Sequence, residues 1–88
     1  MGMNGADLQQ LRDLASKFDG DASTLQGLIN SLQSAASNSG GYWKGGKADQ
    51  FRTEWEGLKP TFDKFVQTLQ DAGRAARTNA DNIDHATN

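Results

Sequence analysis

The apolar residues between positions 8 and 36 are spaced alternately three and four apart, without a break. Because an α-helix turns once in about 3.6 residues, this spacing places all of them on one face of a helix. They are Leu8, Leu11, Ala15, Phe18, Ala22, Leu25, Ile29, Leu32 and Ala36. Leu14, Leu28 and Ala35 widen the apolar stripe beyond that of a two-stranded coiled coil. The pattern predicts one long helix over residues 5–37.

The same alternation resumes further along the chain, with one polar position in the series, and predicts a second helix over residues 46–86. Its positions are Ala48, Phe51, Trp55, Leu58, Phe62, Phe65, Leu69, Ala72, Ala76, Asn79, Ile83 and Ala86. Pro60 lies on the outer side of this stripe, so we expect it to bend the helix rather than end it. Val66, Gly73 and Ala80 widen the inner stripe with small side chains, which would allow a close approach of another helix.

A glycine-rich segment separates the two helices. Residues 37–46 contain four glycines in ten residues and have no apolar period, which predicts a turn over residues 38–46. Two long helices joined by a tight turn form an antiparallel hairpin, so residues 1–88 are predicted to be a single all-α domain. One hairpin shields only one stripe of each helix, and the chain has no cysteine for a disulfide. We therefore expect pairing with a second hairpin into a four-helix bundle.

Large side chains of the two stripes are predicted to pack the helices together and to form the dimer interface, because they carry most of the apolar surface available for burial. The predicted packing and interface residues are Leu11, Phe18, Leu25, Ile29, Leu32, Phe51, Trp55, Leu58, Phe62, Phe65 and Leu69.

The composition argues against several classes of function. Zero Cys and one His leave no His/Cys zinc cluster, and we expect neither a metal nor a cofactor. A net charge of −2 without blocks of like charge gives no indication of a nucleic-acid partner. The carboxylates lie on outward helical positions beside Arg and Lys, so no catalytic residue is predicted. The longest apolar runs are pairs such as Leu28-Ile29, which predicts neither a membrane span nor a signal peptide.

The turn can be read in more than one way. From Gly41 to Lys47 it matches the glycines and the lysine of a phosphate-binding loop, but such a loop needs a preceding strand, and the preceding segment has helical period. Its glycines are better explained as the end of one helix and the start of the next. Tyr42 and Trp43 either pack across the helix ends or contact a partner, since two rings exposed at a turn are unfavourable.

The sequence Trp43-Lys44-Gly45 lies midway along the chain between two amphipathic helices, and Ala48, Phe51 and Trp55 follow it. In these features, and in its length and its lack of Cys, the chain resembles the WXG family of early-secreted-antigen-like proteins exported by type VII secretion systems. The resemblance implies a non-enzymatic hairpin that pairs with itself or with a sister hairpin. It also implies secretion in folded form without a cleavable signal peptide, from a cytoplasmic state before export. In this family the Trp-X-Gly turn lies beside the C-terminal tail of the partner, and together they are recognised by the secretion ATPase. That role would fall on Trp43 and Gly45.

One feature departs from the family pattern. Export-competent tails usually contain Tyr-x-x-x-Asp/Glu after the second helix, whereas the only tyrosine here is Tyr42, in the turn. The resemblance therefore favours a heterodimer in which a sister hairpin supplies the tail signal. Two alternatives stay open at this point: a membrane-active amphipathic hairpin, which the mixed-sign polar faces disfavour, and an intracellular helical adaptor unconnected with secretion.

Overall fold

A computed structural model of the chain describes residues 5–87 as two long helices joined by a turn. Helix α1 spans Gly5–Asn38, a 3₁₀ turn spans Ser39–Gly41, and helix α2 spans Gly46–Thr87. The helices pack side by side in opposite directions, and the molecule measures 64 × 16 × 13 Å along its principal axes. The predicted all-α hairpin is therefore confirmed.

Both helices continue without interruption over the lengths that the apolar spacing predicts. The predicted ends at residues 37 and 86 each lie one residue before the ends of α1 and α2. Pro60 lies inside α2 with its ring exposed, and the helix continues through it. An outward-facing proline removes one backbone hydrogen bond but does not disturb the packed face, which explains why α2 survives it.

The buried core of α1 is a single row of residues seven apart, Ala15, Ala22, Ile29 and Ala36. The core of α2 combines residues of its predicted stripe with the small residues that widen it. Its buried members are Ala48, Trp55, Val66, Gly73, Ala76 and Ala80. Three large side chains, Leu25, Phe62 and Leu69, pack against the core cluster that contains Ile29, Trp55 and Val66.

In the half far from the turn, small residues bring the helix backbones close together. A Cβ placed on Gly73 would lie 2.5 Å from Asp19 Oδ1 and 3.2 Å from the carbonyl oxygen of Ala15. Two ion pairs tie α1 to α2 beside this contact, between Arg77 and Asp19 at 2.6 Å and between Arg12 and Asp81 at 2.6 Å. The close approach expected from the small residues of α2 is therefore present at Gly73.

We expect Gly73→Ala to destabilise the hairpin by about 1–2 kcal/mol, although alanine is the better helix former. The added methyl displaces the Asp19 carboxylate from Arg77 and presses on the backbone of α1. Gly57→Ala, also in α2, is the matched control, because no atom lies within 4 Å of a Cβ there. This control should be stabilising by about 0.5–1 kcal/mol. Urea unfolding of both variants measures the difference, and an equal gain for the two would contradict the close contact.

Candidate functional site

The turn between the helices is held by a small set of backbone hydrogen bonds. The amides of Tyr42 and Trp43 both donate to the carbonyl of Ser39, at 3.1 and 2.7 Å. The amide of Asp49 donates to the carbonyl of Gly45 at 3.0 Å, which is the first hydrogen bond of α2. Gly45 is thus the residue at which the chain turns into the second helix.

Gly45 has a backbone φ of +111°, whereas no residue other than glycine has a positive φ among residues 5–87. An L side chain at this φ clashes with its own backbone, so the last position of Trp43-Lys44-Gly45 requires glycine on conformational grounds alone. The space around it is open, since no atom lies within 4 Å of a Cβ built there.

We expect Gly45→Ala to cost about 1–3 kcal/mol of stability, because the alanine must adopt a strained φ or reshape the turn. Gly46→Ala is the control: its φ is not positive and its surroundings are equally open. At the first position of a helix, this control should be neutral or stabilising by up to about 1 kcal/mol. Thermal unfolding distinguishes the two variants, and equal melting temperatures would show that residue 45 does not need its positive φ.

The side chain of Arg52 reaches from α2 back to the turn. Its Nη1 donates to Ser39 Oγ at 2.8 Å, and its Nη2 donates to the carbonyl of Trp43 at 3.1 Å. Asp49 Oδ1 lies 3.3 Å from the same Nη2. Ser39 is buried, and its Oγ donates to the carbonyl of Ala36 at 2.6 Å. Arg52 therefore links the end of α1, the turn and the start of α2.

The two aromatic residues of the turn have different surroundings. Tyr42 is 78% exposed, whereas Trp43 is 40% exposed and its ring lies 5.6 Å from that of Phe51, at 39° between planes. Trp43 thus rests on the first turns of α2 while presenting part of its ring to solvent. An aromatic ring that is partly supported and partly exposed is well suited to anchoring a partner.

A row of large apolar side chains on each helix lies outside the core. We call this surface the exposed apolar face, and its members are 38% to 57% exposed. It consists of Leu14, Leu28, Leu32, Phe51, Leu58 and Phe65.

The two rows of this face lie on the same side of the hairpin. On α1, Leu32 follows the buried Ile29 by three residues, and on α2, Phe51 follows the buried Ala48 by three. A step of three residues rotates a side chain by about 60° from the buried row in the same sense on both helices. Antiparallel helices are related by a local two-fold axis perpendicular to the plane of the hairpin, so equal rotations bring both rows to one side of that plane.

The residues predicted for packing and for the dimer interface therefore divide into three groups. Ile29 and Trp55 are buried in the hairpin. Five others are half-buried between the helices: Leu11, Phe18, Leu25, Phe62 and Leu69. The remaining four, Leu32, Phe51, Leu58 and Phe65, belong to the exposed apolar face. The structure thus brings part of the predicted set into the hairpin core and leaves the rest facing outward.

Two residues that hold the turn were not among the predicted site residues, namely Ser39 in the turn itself and Arg52 on α2. A signal for Arg52 is present in the sequence, because it lies four residues after Ala48 and hence on the inward side of the first turns of α2. Ser39 follows the last buried residue of α1, Ala36, by three positions, which is where a hydroxyl can bond back to the helix carbonyl.

No three His, Asp or Glu side chains within 5–87 come together as a group that could hold a metal ion. Neither α1 nor α2 has an apolar stretch long enough to cross a bilayer. The turn and the exposed apolar face are the candidate functional features of these residues.

Comparison with known proteins identifies the family. The family described as WXG100, proteins of 100 residues with WXG, matches residues 5–86. The chain belongs to the WXG100 family. Trp43-Lys44-Gly45 supplies the Trp-X-Gly of that description. The resemblance predicted from the turn and the two stripes is therefore confirmed.

A solved structure shows the same fold. EsxA from Geobacillus thermodenitrificans, in its crystal form I, matches with a TM-score of 0.85 and 22% sequence identity, covering 91% of this chain and 87% of that chain. No curated protein matches. Membership of the WXG100 family supports a type VII secretion substrate, and the likeness to EsxA shows that the two chains share the hairpin fold.

Proposed function

We propose that this WXG100 protein is a non-enzymatic type VII secretion substrate that is exported as a dimer of hairpins. In this proposal the exposed apolar face closes a four-helix bundle with a second hairpin. The turn at Trp43 and Gly45 contributes to the surface recognised by the secretion ATPase. The protein is cytoplasmic before export and leaves the cell without a cleavable signal peptide.

The observation that carries the proposal is the exposed apolar face. Its large side chains form two rows along one side of a hairpin only 16 × 13 Å in cross-section. Large apolar side chains exposed along one side of a hairpin favour an interaction with a partner, because their exposure to water is unfavourable. A second amphipathic hairpin offers two parallel stripes of matching width and length, and packing of the two pairs gives a four-helix bundle.

The heterodimer is the favoured form of this dimer. The C-terminal region after Ala76 contains Asp81 and Asp84 but no tyrosine, so it lacks the Tyr-x-x-x-Asp/Glu expected of a tail signal in this family. A sister hairpin that carries this signal would supply the missing half, while the present chain supplies the turn. Two copies of residues 1–88 would bring two turns and no such signal.

The turn is proposed to bind its partner through Trp43. Truncation of a central aromatic anchor typically costs about 2 kcal/mol or more of binding free energy. We therefore expect Trp43→Ala to lower export at least about tenfold while leaving the helical content unchanged, because Trp43 lies outside both helices. Trp43→Phe, which keeps a ring to rest on Phe51, is the matched control and should retain most of the export.

The experiment expresses the chain in a bacterium with a type VII machine, with and without the sister gene, and measures both proteins outside the cell. We expect export only with the sister. Export that is undiminished without the sister would contradict the heterodimer, and normal export of Trp43→Ala would remove Trp43 from the recognition surface. Retention of the wild-type chain in the cell even with the machine and the sister would instead favour the adaptor function.

A further inference from the structure

The hydrogen bonds around Ser39, Trp43 and Arg52 form a closed ring. The Trp43 amide donates to the Ser39 carbonyl at 2.7 Å, Arg52 Nη2 donates to the Trp43 carbonyl at 3.1 Å, and Arg52 Nη1 donates to Ser39 Oγ at 2.8 Å. The backbone of Trp43 is therefore held on both sides, through its amide and through its carbonyl. A chain segment held at both groups of one residue has little freedom to rotate that residue.

We propose that Arg52 is the positioning residue of the Trp-X-Gly turn, holding Trp43 in the orientation in which its binding partner meets it. This inference rests on the proposed function of the turn. Arg52 lies outside Trp43-Lys44-Gly45, yet in this inference it fixes the orientation of Trp43.

The geometry requires an arginine. Its two Nη atoms reach two acceptors, Ser39 Oγ and the Trp43 carbonyl, at the same time. A planar guanidinium makes two such bonds with a fixed angle between them, whereas the single ammonium of lysine has no rigid fork. Lysine at this position would keep the charge but would not hold both acceptors in one geometry.

Neighbouring residues restrict the guanidinium in turn. Asp49, one turn earlier on α2, lies 3.3 Å from Nη2 and favours the conformation that reaches the turn. The buried Ser39 is anchored to α1 by its own bond to the Ala36 carbonyl at 2.6 Å. The ring of Trp43 rests on Phe51, the residue immediately before Arg52. Residues 49–52 thus present both the backbone and the ring of Trp43.

Loss of the two hydrogen bonds from Arg52 to Ser39 and Trp43 should loosen the turn without unfolding the hairpin. The bond from Arg52 to the Trp43 carbonyl is exposed, so water can replace the guanidinium there. The core cluster of the hairpin does not include Arg52. The expected effect is therefore local, at the amides of the turn and in its recognition.

The test compares Arg52→Lys with Arg74→Lys in the full chain. Arg74 lies on the same helix and pairs only with Asp71, at 3.4 Å, among the contacts that the structure describes for its guanidinium. Hydrogen exchange at the Trp43 amide, followed by NMR, measures how firmly the hydrogen bonds of Arg52 hold the turn. Secretion in the presence of the sister hairpin measures recognition by the export machinery. We expect Arg52→Lys to speed exchange of the Trp43 amide at least about tenfold and to lower export about fivefold or more. Its melting temperature should stay within about 3 °C of that of Arg74→Lys.

Ser39→Ala provides a second variant. It removes the hydroxyl that accepts from Arg52 Nη1, and it should also speed exchange of the Trp43 amide. If Arg52→Lys matches Arg74→Lys in both exchange and export, the inference is overturned. If Trp43→Ala abolishes export while Arg52→Lys exports normally, the inference fails and the proposed function stands. If Trp43→Ala exports normally, the proposed function of the turn fails, and with it the role of Arg52 in recognition.

Discussion

Trp55→Ala is expected to lower the free energy of unfolding by about 3–5 kcal/mol, the range typical of a buried tryptophan or phenylalanine cut back to alanine. Trp55 is 7% exposed and belongs to the core cluster with Ile29 and Ala36. Its Nε1 donates to Gln33 Oε1 at 2.7 Å, and its ring lies 6.0 Å from that of Phe62. The substitution therefore leaves a cavity and removes a hydrogen bond between the helices.

Trp55→Phe is the matched control for this prediction. It keeps an aromatic ring next to Phe62 but removes the indole N–H that bonds to Gln33, and we expect a cost of about 1–2 kcal/mol. Urea unfolding at one fixed protein concentration measures both variants, since association would make the apparent stability depend on concentration. A loss below about 1 kcal/mol for Trp55→Ala would show that the ring does not fill the core.

Phe65→Asp is expected to abolish association while leaving the hairpin folded. Phe65 is 55% exposed in the hairpin, so an aspartate there is hydrated and costs the isolated hairpin little. In a four-helix bundle the same carboxylate would be buried without a partner, which costs about 3 kcal/mol or more. The association constant should therefore fall at least about a hundredfold.

Thr78→Asp is the control for this charge, because residue 78 is exposed and lies about 140° around α2 from residue 65. Light scattering with and without the sister hairpin measures the mass of each species, and circular dichroism checks that the helices remain. If Phe65→Asp still associates like Thr78→Asp, Phe65 lies outside the interface and the exposed apolar face has another role.

The helices and their order were predictable because the information is local. A spacing of three and four residues specifies a helix wherever it occurs, and the glycines between the two stripes specify a break. The position of Trp43 and Gly45 between the helices follows from the same spacing. The positive φ of Gly45 gives a physical reason why the motif ends in glycine.

Spacing alone did not predict which residues of the apolar stripe of α2 are buried and which are exposed. The stripe contains both Trp55 and Leu58, yet Trp55 is buried and Leu58 is 50% exposed. The small residues Gly73 and Ala80 let α2 approach α1 along their own row. Val66, Gly73, Ala76 and Ala80 are buried on α2, whereas Leu58 and Phe65 lie on its exposed side.

The contact between Ser39 and Arg52 at the turn was likewise not predictable from the sequence pattern. Arg52 lies thirteen positions after Ser39, so no local pattern pairs them. Their contact arises because the turn folds the end of α1 back over the first turns of α2, and its strength depends on distances that only the packed hairpin sets.

The sequence by itself determined that this chain is two amphipathic helices around a Trp-X-Gly turn, since helical period and glycine breaks are properties of neighbouring residues. Only the tertiary structure decided which apolar residues close the hairpin and which form the exposed apolar face. It also decided that Arg52 holds the turn. The physical reason is that the spacing of apolar residues specifies only which side of each helix is apolar. How two helices pack depends instead on the bulk of the side chains between them, and here Gly73 leaves room for the backbone of α1 at Ala15.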